Sequence, residues 1–271
     1  MNFETNDYDV IILAGQSNAE GYGRGEVSEE YLPDEDIISL TPSFTSVYKV
    51  ENGVDSLSVV YHDEPLKFAV ADVRIDKEQV TNSLSLTFSE EYKKNGYLKN
   101  GRKLLIINAA IGATGFENNY WGLGKMLYNK MTEMVDYVLS LNSENKIVAF
   151  LWHQGEHDAG HLNPPAVYKA QLKEMIDAFK ERYDLPDMPF VSGDFVNEWK
   201  SANLAICAPI IDVIKEVTES ENGVFVETSD LMSNNERNGD GDPIHFCRES
   251  LHILGRRYFD AFKKIIEEKN I

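Results

Sequence analysis

Five short apolar runs punctuate the chain: Tyr8–Ala14, Lys103–Ala110, Lys146–Trp152, Met188–Ser192 and Gly223–Glu227. Each has the length of a strand and little polar alternation, as expected of strands buried on both faces. Between them, apolar residues recur at helical spacing. The spacing predicts helices over Thr81–Asn95, Leu123–Leu141, Pro165–Tyr183, Asn203–Glu219 and Glu249–Lys269. In Leu123–Leu141 the apolar face holds Leu123, Met126, Leu127, Met131, Met134, Val135 and Val138; in Pro165–Tyr183 it holds Tyr168, Leu172, Met175, Ile176 and Phe179. Strands alternating with helices imply βαβ units, an α/β fold whose mostly parallel sheet carries helices on both faces. Residues 26–80 break this rhythm. Val47–Val50, Asn52-Gly53 and Leu57–Tyr61 predict a hairpin, because Asn-Gly favours a tight type I′ turn. The stretch reads as an irregular insertion over one edge, lining a ligand site.

No internal repeat or linker divides the 271 residues, so residues 1–271 read as a single domain with that insertion. The formal net charge of −19 argues against nucleic acid or an anionic membrane as partner, since phosphate would be repelled. Cys207 and Cys247 read as free thiols of a reducing compartment. Met1–Asp9 holds three acidic residues and no apolar core of signal-peptide length, and no apolar run approaches the ~20 residues of a membrane helix. The expectation is a cytoplasmic protein; oligomeric state is left open.

Polar residues gather at the carboxyl ends of the predicted strands, where ligands bind in open α/β sheets. The first run ends in Gly15-Gln16-Ser17-Asn18. A serine there exposes its hydroxyl and offers its own N–H to an oxyanion; the plain alternative is a helix-capping serine. The second ends in Asn108-Ala-Ala-Ile-Gly112-Ala113-Thr114, where Gly112 permits close backbone approach and offers a second N–H. The third ends in Trp152-His153-Gln154-Gly155-Glu156-His157-Asp158. Such a polar run is costly unless it serves a site, and Gln154 has an amide donor. Trp121 and Trp152 each suit a sugar-stacking face or plain core. Before the last helix, Asp242-Pro-Ile-His245 places a carboxylate and an imidazole three apart on one loop. A nucleophilic serine needs a base, and the base needs a partner to fix its tautomer.

Gly-Gln-Ser-Asn, His-Gln-Gly-Glu and Asp-x-x-His in this order resemble the SGNH-hydrolase superfamily, in particular its carbohydrate esterase branch of sialate O-acetylesterases and acetylxylan esterases. The resemblance spans Gly15 to the final helix. It implies a three-layer α/β/α sandwich around a flavodoxin-like five-stranded sheet. It also implies a serine esterase that removes acetyl or other small acyl groups from a small acetylated carbohydrate, without metal or cofactor. Ser17 would be the nucleophile, His245 the base and Asp242 its orienting partner. Ser17, Gly112 and Gln154 would form the oxyanion hole, and Gln16, Asn18, Trp121 and Glu156 are candidate substrate contacts. Ala19, Ala113 and His157 depart from the methionine, glycine and serine common in the branch.

Two metal patterns compete. His153-x-x-Glu156-His157 matches the inverted zincin motif, which requires one helix to present both histidines, and Gly155 opposes that helix. Asn238-Gly-Asp240-Gly-Asp242, with Glu249 at the twelfth position, echoes a calcium loop, but Pro243 replaces its turn glycine. A non-catalytic carbohydrate-binding protein is the remaining alternative, since fold alone does not imply chemistry.

Overall fold

The computed structural model describes residues 3–26, 33–51, 54–71 and 83–269. Its strands are β1 (Asp7–Gly15), β2 (Ile37–Thr41), β3 (Phe44–Glu51), β4 (Val54–Tyr61), β5 (Lys67–Val70), β6 (Arg102–Asn108), β7 (Lys146–His153), β8 (Phe190–Gly193) and β9 (Val224–Val226). Its α-helices are α1 (Ser17–Glu20), α2 (Ser83–Lys94), α3 (Met126–Leu141), α4 (Glu156–Gly160), α5 (Pro165–Arg182), α6 (Asn197–Ala202), α7 (Leu204–Ser220), α8 (Asn234–Asn238) and α9 (Arg248–Lys269).

The five strands expected from the sequence line up as β6-β1-β7-β8-β9, all parallel, with β1 between β6 and β7. Ranked by chain position this is the flavodoxin order 2-1-3-4-5, whose switch point opens a crevice at the carboxyl end of β1. Two further strands come from the insertion. β2 joins β6 in parallel, and β5 joins β2 antiparallel, giving a seven-stranded sheet. These two strands carry no long apolar run, and pairing with an already buried edge compensates for that.

Successive residues of β1 serve opposite cores. Val10, Ile12 and Ala14 pack with Met131 and Val135 of α3, Leu172 and Ile176 of α5, and Ile214 of α7. Ile11 and Leu13 pack with Leu84 and Phe88 of α2 and with Leu254 and Phe262 of α9. The alternation of side chains along a strand thus places one helical layer on each face. At the crossing of α2 and α9, a Cβ on Gly255 would fall 1.8 Å from Thr87 Oγ1 and 2.3 Å from the Leu84 carbonyl oxygen, so the glycine sets how closely these helices approach.

Helix boundaries follow the sequence with one instructive difference. α3 begins at Met126, not Leu123, because Gly124 adopts φ +74° and precludes an earlier start. Leu123 and Met126, expected on the buried face, are 45% and 42% exposed. The predicted hairpin forms as β3–β4, with Val47 opposite Ser58 and Glu51 opposite Val54. Its Asn52-Gly53 turn lies outside the described residues, as do residues 27–32 and 72–80 of the insertion and Thr81 before α2. Cys207 and Cys247 are free and buried. No described helix is long and apolar enough to cross a membrane.

Candidate active site

β1 ends abruptly. Gly15 has φ +139°, and a Cβ there would fall 2.1 Å from the His153 carbonyl oxygen, so only glycine allows β1 and β7 to close together at this point. The Gln16 N–H donates to that same carbonyl at 3.0 Å. Ser17 opens α1, whose cap is Gln16, so Ser17 is not the capping serine of the plain alternative.

From the far end of the chain, the loop after α8 brings His245 to it. Ser17 Oγ lies 2.9 Å from His245 Nε2, and His245 Nδ1 lies 2.9 Å from each Asp242 oxygen. Facing a carboxylate, Nδ1 carries the hydrogen, which leaves Nε2 as acceptor for the serine proton. Asp242 is partly buried, which alone would raise its pKa. The hydrogen bond and charge of His245, with the Asn234 amide, outweigh that and lower it to about 2. It therefore stays a carboxylate at neutral pH. Tyr22 stacks on the imidazole with centroids 5.1 Å apart.

The neighbouring polar residues divide into lining and scaffold. Gln16, Ser17, Tyr22, Gly112, Glu156 and His245 line a cavity of about 410 Å³, whose opposite wall is Ser46, Tyr48 and Asp55 of the hairpin, with Trp199 of α6 at its side. Asn18 is fully buried. Its amide donates to Glu156 Oε1 at 2.8 Å and to the Ile244 carbonyl at 3.1 Å, and its oxygen accepts from the Phe246 N–H at 3.0 Å. It pins the histidine loop to the nucleophile turn and is not a substrate contact. Trp121 is also fully buried, donating to the Gly15 carbonyl, and is core. The Gln16 side-chain oxygen accepts from Gln154 and from the His157 N–H, so it too is engaged in the scaffold although it lines the cavity.

Two expected oxyanion donors are otherwise occupied. The Gln154 amide nitrogen donates to Asp158 Oδ2 at 2.6 Å and to the Thr114 carbonyl at 3.2 Å, and the residue is 1% exposed. It serves the buried Asp158 carboxylate, which also accepts from Asn163 and the Phe116 and Glu117 N–H groups, and it does not face the cavity. Gly112 does lie beside Ser17, since a Cβ on Gly112 would be 3.5 Å from Ser17 Cβ. The Gly112 N–H donates at 2.6 Å to Glu20 Oε2. Burial pushes the Glu20 carboxyl up to about 7, against the opposing pull of this hydrogen bond.

Neither metal pattern read from the sequence is assembled. Gly155, at φ +144°, separates His153 from α4, so His153 and His157 do not share a helix face. His153 is fully buried against Tyr258, its Nδ1 2.8 Å from the tyrosine hydroxyl, and burial lowers its pKa to about 3. In the calcium-like loop, Asp240 pairs with Arg24 at 2.7 Å, Asp242 holds His245, and Glu249 lies 3.3 Å from Arg237.

A serine, an imidazole and a carboxylate hydrogen-bonded in series at the crevice of a three-layer α/β sheet make up the equipment of a hydrolase. The particular family follows from the sequence. Residues 7–264 match the profile described as carbohydrate esterase, sialic acid-specific acetylesterase, and the chain belongs to that family. It is thus a carbohydrate esterase that removes O-acetyl groups. No curated protein matches it in sequence. Among solved structures it is similar to NanS, with 18% identity and TM-score 0.75 over 97% of this chain and 99% of that one. It is also similar to a carbohydrate acetylesterase from Xanthomonas citri, with 16% identity and TM-score 0.64 over 96% of this chain and 56% of that one. A lipase/acylhydrolase from Enterococcus faecalis, with 11% identity and TM-score 0.52 over 94% and 95% of the two chains, shares the fold.

Sequence reasoning missed Glu20, Tyr22, Tyr48, Asp55 and Trp199. Glu20 and Tyr22 stand three and five residues after Ser17, and that proximity was their only signal; the others are brought in by the hairpin and α6.

Proposed function

We propose that the esterase works through an acyl-enzyme on Ser17. His245 Nε2 takes the hydroxyl proton as Oγ attacks the ester carbonyl, and Asp242 stabilises the imidazolium that results. His245 then protonates the departing sugar oxygen and activates the water that releases acetate. The Ser17 N–H is one oxyanion donor. The Gly112 N–H is the second, and it becomes available when the acyl oxygen takes the place of Glu20 Oε2. The observation that carries this reading is the unbroken hydrogen-bonded series from Ser17 Oγ through His245 to Asp242, opening on one cavity.

The substrate we infer is a small acetylated carbohydrate. Tyr22, Tyr48 and Trp199 give the cavity aromatic faces of the kind that stack on sugar rings. The test is hydrolysis of p-nitrophenyl acetate, followed by acetate release from O-acetylated sialic acid and from acetylated xylo-oligosaccharides. Ser17→Ala is expected to lose at least ~10³-fold in kcat. A Ser17→Ala enzyme within tenfold of the parent would overturn the assignment.

A further inference from the structure

In the wall of the cavity that also holds Ser17 and His245, the hairpin meets α4 through three metal-ligating side chains. Asp55 comes from β4, and His157 and His161 lie one helical turn apart at α4 and its cap. One donor atom from each lies within 4.8 Å of the others. His161 Nε2 is 2.9 and 2.8 Å from the two Asp55 oxygens. His161 Nδ1 is 2.8 Å from the His157 carbonyl oxygen, which only accepts, so Nδ1 carries the ring hydrogen. In a neutral ring Nε2 is then a bare lone pair aimed at a carboxylate. Two electron-rich groups held this way repel unless a cation lies between them. His157 stacks face to face with His161, centroids 4.0 Å apart. Its side chain is 7% exposed, its Nε2 makes no hydrogen bond, and Glu117 Oε2 lies 3.4 Å from that nitrogen.

We propose that Asp55, His157 and His161 form a binding site for a divalent transition ion of the zinc class, which ties the β3–β4 hairpin to α4 across the mouth of the cavity. Two imidazoles and a carboxylate are a donor set suited to Zn²⁺, with water or Glu117 as the remaining ligand. Ligand atoms of a tetrahedral zinc lie about 3.3 Å apart, given bonds of about 2.0–2.1 Å. His161 Nε2 and the Asp55 oxygens lie somewhat closer than that and all three donors fall within 4.8 Å, so side-chain rotations would complete the site. The ion would hold the wall formed by Ser46, Tyr48 and Asp55. It takes no part in the Ser17 chemistry.

The test is Zn²⁺ titration of the metal-stripped full chain by calorimetry, with Co²⁺ absorption as a second readout, on wild type, Asp55→Asn, His161→Gln and Ser17→Ala. The expected result is one Zn²⁺ per chain. Asp55→Asn and His161→Gln should each weaken it at least ~10-fold, as losing a ligand does. Ser17→Ala should bind as wild type does, which separates this site from the esterase assignment. Zinc should also raise the thermal midpoint of wild type and raise that of Asp55→Asn less. Absence of stoichiometric uptake would overturn the proposal and leave a proton, as an imidazolium–carboxylate pair, between Asp55 and His161. Uptake indifferent to both substitutions would overturn it equally, by placing the ion elsewhere.

Discussion

Replacing Glu20 with glutamine tests the electrostatics of the site most directly. Glu20 is 7% exposed, and its carboxyl is raised from 4.5 to about 7, chiefly by burial. The folded protein therefore holds this proton to a higher pH than the unfolded chain. Stability from this group is fully present below about pH 4.5, declines as pH rises to about 7, and is constant above. The difference of about 2.5 pH units corresponds to about 3 kcal/mol. Glutamine keeps a carbonyl oxygen to accept the Gly112 N–H and cannot ionise. Other carboxylates, Asp242 among them, also shift stability with pH, so the informative quantity is variant minus wild type. Urea unfolding at about pH 5, 6, 7 and 8 should show that difference growing by 2–3 kcal/mol in favour of Glu20→Gln. A difference constant to within about 1 kcal/mol would refute the claim that a buried carboxyl is held near Gly112 at the expense of its charge.

Asp242→Asn should leave the fold intact and lower kcat by about 10³–10⁴, because the amide no longer enforces the Nδ1–H tautomer; steady-state hydrolysis of p-nitrophenyl acetate measures it. Asn18→Ala removes three hydrogen bonds, two of them buried, at roughly 0.5–1.5 kcal/mol each. It should cost about 2–4 kcal/mol in denaturant unfolding, and a loss under about 1 kcal/mol would show that Asn18 does not pin the histidine loop. Gly255→Ala is favoured by helix propensity yet places a Cβ 1.8 Å from Thr87 Oγ1, so its thermal midpoint should fall. Gln154→Ala should lower stability more than kcat, since it strips a donor from Asp158 without touching the cavity; a kcat loss of about 10²-fold with unchanged stability would restore it as an oxyanion donor.

The five strands of the parallel core were legible because a strand buried on both faces must be apolar throughout, and each such run is bounded by polar residues. β2 and β5 were not: Ile37–Thr41 is short and mixes Ser39 and Thr41 with its apolar residues, and the partners that bury it are distant in sequence. Ser17, Asp242 and His245 were legible because their chemistry demands one another, and the structure brings them within hydrogen-bonding distance. Asn18 and Gln154 sit at the same strand ends yet turn inward, and Trp121, in the loop before α3, is likewise buried. A polar side chain at a strand end either faces ligand or satisfies the buried backbone of its neighbours, and one-dimensional spacing carries no information on which. Asp158 illustrates this. A buried carboxylate needs several donors, and Gln154, four residues before it, is one of them.

Ser17 and His245 are 228 positions apart in the chain. The four other strands of the parallel core lie between them in sequence, and the loop after α8 reaches back to the end of β1. In the mechanism proposed above, Ser17 therefore waits for its base until the segment between the two residues has folded. On that mechanism, turnover would report that this intervening segment has assembled around the sheet.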